Sequence, residues 1–164
     1  MRKFRFPILE ILIVISTVVL VWLLGYPQYE EKSNIEKKYR VRVNMYTLRA
    51  GVENYAAYNN GKFPEDLNDI KDFFAPALSP YTGKLIELKD IPTFQYTSKE
   101  EPKENTQESK NGRMKGEPGG LAYGYFMGAD SLVSAYGIIG FDKEGSPLAE
   151  KLASKKIEVF VLCE

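Results

Sequence analysis

Phe6-Pro7-Ile8-Leu9-Glu10-Ile11-Leu12-Ile13-Val14-Ile15-Ser16-Thr17-Val18-Val19-Leu20-Val21-Trp22-Leu23-Leu24 is almost wholly apolar and carries one carboxylate. As an α-helix rising about 1.5 Å per residue, it is just long enough to cross a hydrocarbon core of about 30 Å. Met1-Arg2-Lys3-Phe4-Arg5 would serve as the n-region of a cleaved secretory signal. The run is nevertheless longer than a usual h-region, contains Glu10, and is followed by no small-x-small site. It reads as a membrane anchor, with a short basic leader (1–5) before it and a water-compatible chain after it.

Glu10 makes this anchor unusual. An ionised acid at the centre of a membrane helix costs about 2.5–3.5 kcal/mol even on the gentlest insertion scale, so it needs water or a positive partner. Two solutions are open at this point. Glu10 is wetted at the membrane edge or pairs with Arg2 or Arg5 of its own chain, or it pairs with a positive group on another subunit.

Phe6, Glu10 four positions later, the run Ile11-Leu12-Ile13-Val14-Ile15 and then Gly25-Tyr26-Pro27-Gln28-Tyr29 resemble the N-terminal segment shared by type IV pilins and type II secretion pseudopilins. Tyr55-Ala56-Ala57-Tyr58-Asn59-Asn60-Gly61-Lys62-Phe63-Pro64 is similar to the segment that closes the long helix in pseudopilins. The resemblance implies a pilin-like α+β fold in which a long N-terminal helix packs on a small antiparallel β-sheet. It implies a prepilin peptidase cutting between Arg5 and Phe6 and methylating the new amine, and Glu10 neutralising that amine on a neighbouring subunit. Pro27 would end the membrane-buried stretch. Homo-oligomers or related pilin subunits, an inner-membrane assembly platform and membrane lipid follow as partners. The subunit would sit in the cytoplasmic (inner) membrane with its N-terminus in the cytoplasm, then enter a periplasmic or extracellular filament. Two positions depart from the pattern: Arg5 stands where the family has glycine, and Pro7 where it has a small polar residue.

Composition sets the outer limits. The 164 residues allow the anchor and one soluble domain of about 100 residues. Lys+Arg 22 balances Asp+Glu 22, so nothing points to nucleic acid. Histidine is absent, which removes the commonest general base and zinc ligand, and the lone Cys163 has no partner for an internal disulfide. No glycine-rich phosphate loop precedes a helix, and Cys163 in an apolar terminal segment reads as an inert thiol. An enzyme is not expected.

Beyond the anchor, the expected divisions are 6–27 as the transmembrane and assembly helix, 28–60 as its continuation and 61–164 as the globular domain. Gly25 and Pro27 predict a kink or local unwinding, and Ser33-Asn34-Ile35-Glu36 a capping box that restarts or reinforces the helix. Val41, Met45, Leu48, Val52 and Tyr55 alternate steps of four and three, the mark of one buried helix face, and Asn59-Asn60-Gly61 stops the helix. The polar stretch 30–40 is expected as a stalk.

Residues 64–74 read as a short helix with Leu67, Ile70 and Phe74 on one side and Pro64 at its first position. Short strands are expected at 85–88 and 93–97, a mobile loop at 98–120, and antiparallel strands at 121–127, 132–141 and 157–163. Residues 146–156 are left open between a helical turn and a loop. Asp142 and Glu144 are candidate calcium ligands, although calcium takes six to eight oxygens and Lys143 lies between them; a plain Asp-x-x-Gly turn is the other reading. The functional alternative to a filament subunit is a single-pass membrane-anchored protein that binds a partner or ligand without polymerising, and Arg5 favours it.

Overall fold

A computed structural model describes residues 8–151 and 156–164. The protein is α+β and divides into two compact units, Met1–Glu36 and Lys37–Glu164. Helix α1 runs Ile8–Tyr58. Of the kink or local unwinding expected at Gly25 and Pro27, unwinding is absent: the backbone stays helical through both, because a proline removes only one hydrogen bond from a ladder held on both sides. Ser33 to Glu36 consequently lies inside the helix, and there is no new helix start for it to cap.

In the second unit the periodic stripe is the core. Val41, Met45, Leu48 and Val52 have no solvent exposure, and Tyr55 packs at their edge. The helix ends where the Asn-Asn-Gly signal put it. Asn60 and Gly61 both take positive φ, the Gly61 N–H reaches back to the Ala56 carbonyl (2.8 Å), and the Asn59 side-chain amide donates to the Tyr55 carbonyl (2.8 Å). The brace that follows is a 3-10 turn, Leu67–Ile70, shorter than the helix expected from Pro64. Asp66 explains the late start, since its carboxylate accepts the Asn68 N–H (2.9 Å) and fixes the cap there. The turn lies close against α1 at Gly51, where an added Cβ would stand 3.3 Å from Ile70 Cδ1.

Strands β1 (Ala77–Leu78) and β2 (Leu85–Ile86) form a small antiparallel hairpin. The main sheet contains β3 (Thr93–Gln95), β4 (Leu121–Met127), β5 (Val133–Gly140) and β8 (Val161–Cys163), in the order β3-β4-β5-β8. It is mixed, whereas an antiparallel sheet was expected: β3 pairs parallel to β4. A parallel pair needs a long crossover, and residues 98–120 supply it.

The stretch expected as a single strand at 157–163 changes partners at Phe160. Its first part, β7 (Ile157–Val159), pairs with β6 (Ala149–Lys151), and β8 pairs with β5. Between them Phe160 lies under the Arg42 guanidinium, 4.6 Å from its ring centroid, and Arg42 also pairs with Glu150.

Both faces of the main sheet are covered. On one side Tyr123, Tyr136, Ile138 and Leu162 join the α1 stripe. Gly140 allows the close approach, since a Cβ there would stand 2.7 Å from Val41 Cγ1 and Met45 Sδ. On the other side Ala122, Ile139 and Phe141 pack with Phe94, Met114 and Val161.

Tyr96 lies on that second side over the paired Gly124 and Gly137 and donates its hydroxyl to Asn111 Oδ1 (2.6 Å). Asn111 has no solvent exposure, and its amide donates to the carbonyls of Glu101, Pro102 and Glu104. A segment whose composition promised no buried anchor is thus wound around one polar side chain. It includes a 3-10 turn, Glu101–Lys103, and the short helix α2 (Lys110–Arg113), capped by Ser109.

Removing Asn111 leaves the Tyr96 hydroxyl and three carbonyls without their partner. Asn111→Ala is expected to lower the unfolding free energy by about 2–4 kcal/mol and Tyr96→Phe by about 1–2 kcal/mol, read from urea denaturation of the full chain in detergent. The same cover segment carries a pH signature. Hydrogen bonds from the Thr97 hydroxyl and backbone N–H (both 2.6 Å) hold the Glu101 carboxyl below its ordinary range. Its folded-state value being depressed, this contribution is complete above the unfolded value and is lost as pH falls through the folded one. An NMR titration is expected to find Glu101 below the usual glutamate range, and Thr97→Val to bring it back up.

Candidate functional site

The residues that the sequence singles out do not converge on one pocket. Glu10 lies near the start of the described part of α1. It is exposed, as are the apolar residues after it. Leu12, Val14, Val18, Leu20, Val21 and Trp22 each leave more than half of their surface uncovered, on every side of the helix. None of this span is buried, and its mean hydropathy is 2.0, so the helix is long and apolar enough to cross a membrane. A helix that is apolar all round is suited to lipid or to a protein core.

Its two hydroxyls fit such surroundings. Ser16 Oγ and Thr17 Oγ1 both donate back to the Ile13 carbonyl, at 2.9 and 2.8 Å, so neither needs water. Pro27 falls within α1, and the expected processing residues Arg5 and Phe6 lie outside the described residues.

Asp142 and Glu144 share the turn after β5. Asp142 Oδ1 accepts the backbone N–H groups of Glu144 (2.8 Å) and Ser146 (3.0 Å), and Gly145 takes φ 71° to close the turn. That is the turn geometry an Asp-x-x-Gly sequence favours. Glu144 is exposed, and among the described residues no group of three or more His, Cys, Asp or Glu side chains is placed to hold a metal ion.

Two other features have geometry that carries chemistry elsewhere. Arg49 Nε lies 2.6 Å from Glu53 Oε1, which also accepts the Tyr136 hydroxyl (3.2 Å), so each of these polar groups already has a partner within the fold. A crevice of about 500 Å³ opens beside β2, floored by Ile86, Ile91 and Leu121, with Lys84 and Glu117 4.0 Å apart at its rim. Burial pushes the Cys163 thiol above its ordinary value, which keeps the thiolate fraction low.

The sequence reading missed a second feature of the apolar helix. Trp22, Tyr26 and Tyr29 recur at steps of four and three, and the Trp22 and Tyr26 rings stack with centroids 5.6 Å apart. That spacing was the available signal. No family model matches the chain, and neither a curated protein nor a solved structure does.

Because Asp142 works within its own turn, Asp142→Ala is expected to destabilise the domain by about 1–2 kcal/mol, through the two orphaned N–H groups. The loss should be the same with and without millimolar calcium in thermal denaturation. A loss that appears only with calcium present would instead make the carboxylate a ligand.

Proposed function

We propose that the chain is a structural subunit of a type IV pilus-like or type II secretion pseudopilus filament, held in the cytoplasmic membrane by α1 before assembly. The observation that carries this reading is a lone carboxylate, Glu10, at the head of an apolar stretch of helix whose residues are exposed on all sides. Lipid covers such a helix in the single subunit, and neighbouring helices cover it in a filament.

The carboxylate then has a specific use. In a low-dielectric core its attraction to a cation strengthens, and a subunit docked out of register leaves it unpaired, which is costly. The Phe6 amine of a neighbour, exposed by cleavage after Arg5, is the proposed cation. Further support comes from the second unit, where the outer half of α1 packs on a small sheet in a pilin-like layout.

Mass and N-terminal analysis of the protein from its native membrane is expected to give a chain beginning at N-methylated Phe6. A chain beginning at Met1 would favour the single-pass, partner-binding alternative that Arg5 suggests. In parallel, Glu10→Ala is expected to insert into membranes normally and to be lost from sheared filaments; normal filament yield would defeat the assembly role.

A further inference from the structure

Trp22, Tyr26 and Tyr29 lie on one face of α1, with 63%, 50% and 74% of their surfaces exposed. Together with Thr17, Val18 and Val21 they line a shallow groove along that face. The other residues over the same height, Leu23, Leu24, Gly25, Pro27 and Gln28, carry no aromatic ring. Tyr26 is hydrogen-bonded to Glu30, and Glu30-Glu31-Lys32 begins the charged part of the chain immediately after Tyr29. The aromatic face therefore stands between a span that avoids water and one that requires it.

Rings with an apolar body and a polar edge favour the ester and headgroup layer of a bilayer. We infer that the Trp22–Tyr26–Tyr29 face is a lipid-interface anchor that sets the depth of the helix and thereby holds Glu10 inside the hydrocarbon. The inference rests on the membrane-anchored reading above.

The depth follows from helix geometry. Tyr26 is sixteen residues beyond Glu10, about 24 Å along the axis. With Tyr26 at one boundary of a core about 30 Å thick, Glu10 lies about 6 Å inside the other. Putting Glu10 at the boundary would instead move the far boundary to about residue 30, sinking both tyrosine hydroxyls and the Tyr26–Glu30 bond into lipid tails. The three rings oppose that shift with their combined interfacial preference, and the carboxylate alone favours it.

Trp22 is the only tryptophan in the chain, so its fluorescence reports this depth directly. The full-length protein would be reconstituted into phosphatidylcholine vesicles with bromines near the ester, at mid-chain or near the terminal methyl. With Tyr26 at the boundary Trp22 lies about 6 Å inside it, so quenching is expected to be stronger from the near-ester and mid-chain labels than from the terminal label. A Tyr26→Leu/Tyr29→Leu variant is expected to sink Trp22 by up to about 6 Å more and move the maximum to the terminal label.

Strongest quenching from the terminal label in the parent, or an unmoved maximum in the variant, overturns the inference while leaving the membrane anchor intact. Failure of the parent to float with vesicles overturns the anchoring reading itself, and the inference with it.

Discussion

A helix satisfies its backbone hydrogen bonds from within its own segment, and every other feature of this chain depends on that property. It allows one continuous element, α1, to carry a stretch with no protein around it and, further along, a stripe with no solvent around it. A strand at 11–23 would leave its N–H and C=O groups unpaired wherever water is absent, at several kcal/mol each. The side chains follow the same rule, with Ser16 and Thr17 folded back onto the Ile13 carbonyl.

In the second unit the problem is the reverse, because a sheet brought against that stripe must itself be covered on its outer face. Strand parity shows how this is done. Tyr136, Ile138 and Gly140 alternate along β5 toward α1, while Gly137, Ile139 and Phe141 face the other way. Glycine stands at each close approach: Gly140 admits Val41 and Met45, and the Gly124–Gly137 pair admits Tyr96. The outer layer is largely polar in sequence, so its stability comes less from apolar area than from Asn111, whose oxygen and amide nitrogen bind four groups between Tyr96 and Glu104. In a low-dielectric setting such a cluster is worth most when complete and is most vulnerable to the loss of its central member.

The parts of this arrangement that were legible in the sequence are those governed by local periodicity. Val41, Met45, Leu48 and Val52 announce one face of a helix, and Asn59-Asn60-Gly61 announces its end. The sheet was legible as strands but not as an arrangement, since a parallel β3–β4 pair depends on where a distant crossover returns. Asn111 gave no signal, because an asparagine in a run of Lys, Asn and Gly looks like solvent-exposed loop until its partners surround it. Phe160 misled for a related reason: apolar residues on both sides suggested one strand, but the Arg42 guanidinium above its ring separates two. Of the candidate functional residues, Glu10 was legible because a carboxylate in an apolar run violates composition. Trp22, Tyr26 and Tyr29 were not, because aromatic residues near a membrane span do not.

The position of Glu10 in the helix bears on why a carboxylate is tolerated at all. In the interior of α1 each backbone N–H already serves a carbonyl four residues earlier, so an acid there could find a donor only in another side chain or in water. If the chain is cleaved before Phe6, as proposed, Glu10 falls in the first turn of the mature helix, where the N–H groups are not so occupied and the dipole is positive, which gives a negative charge partial compensation, about 0.3–1 kcal/mol at an exposed site. That is less than the cost of an ionised acid within hydrocarbon. In the reading proposed above, the difference is what a partner's amine makes good, so the driving force for pairing rises with the depth at which the helix is held. Anchor depth and assembly are then coupled through one side chain, and the aromatic face at the far end of the span contributes to assembly without touching the neighbour's amine.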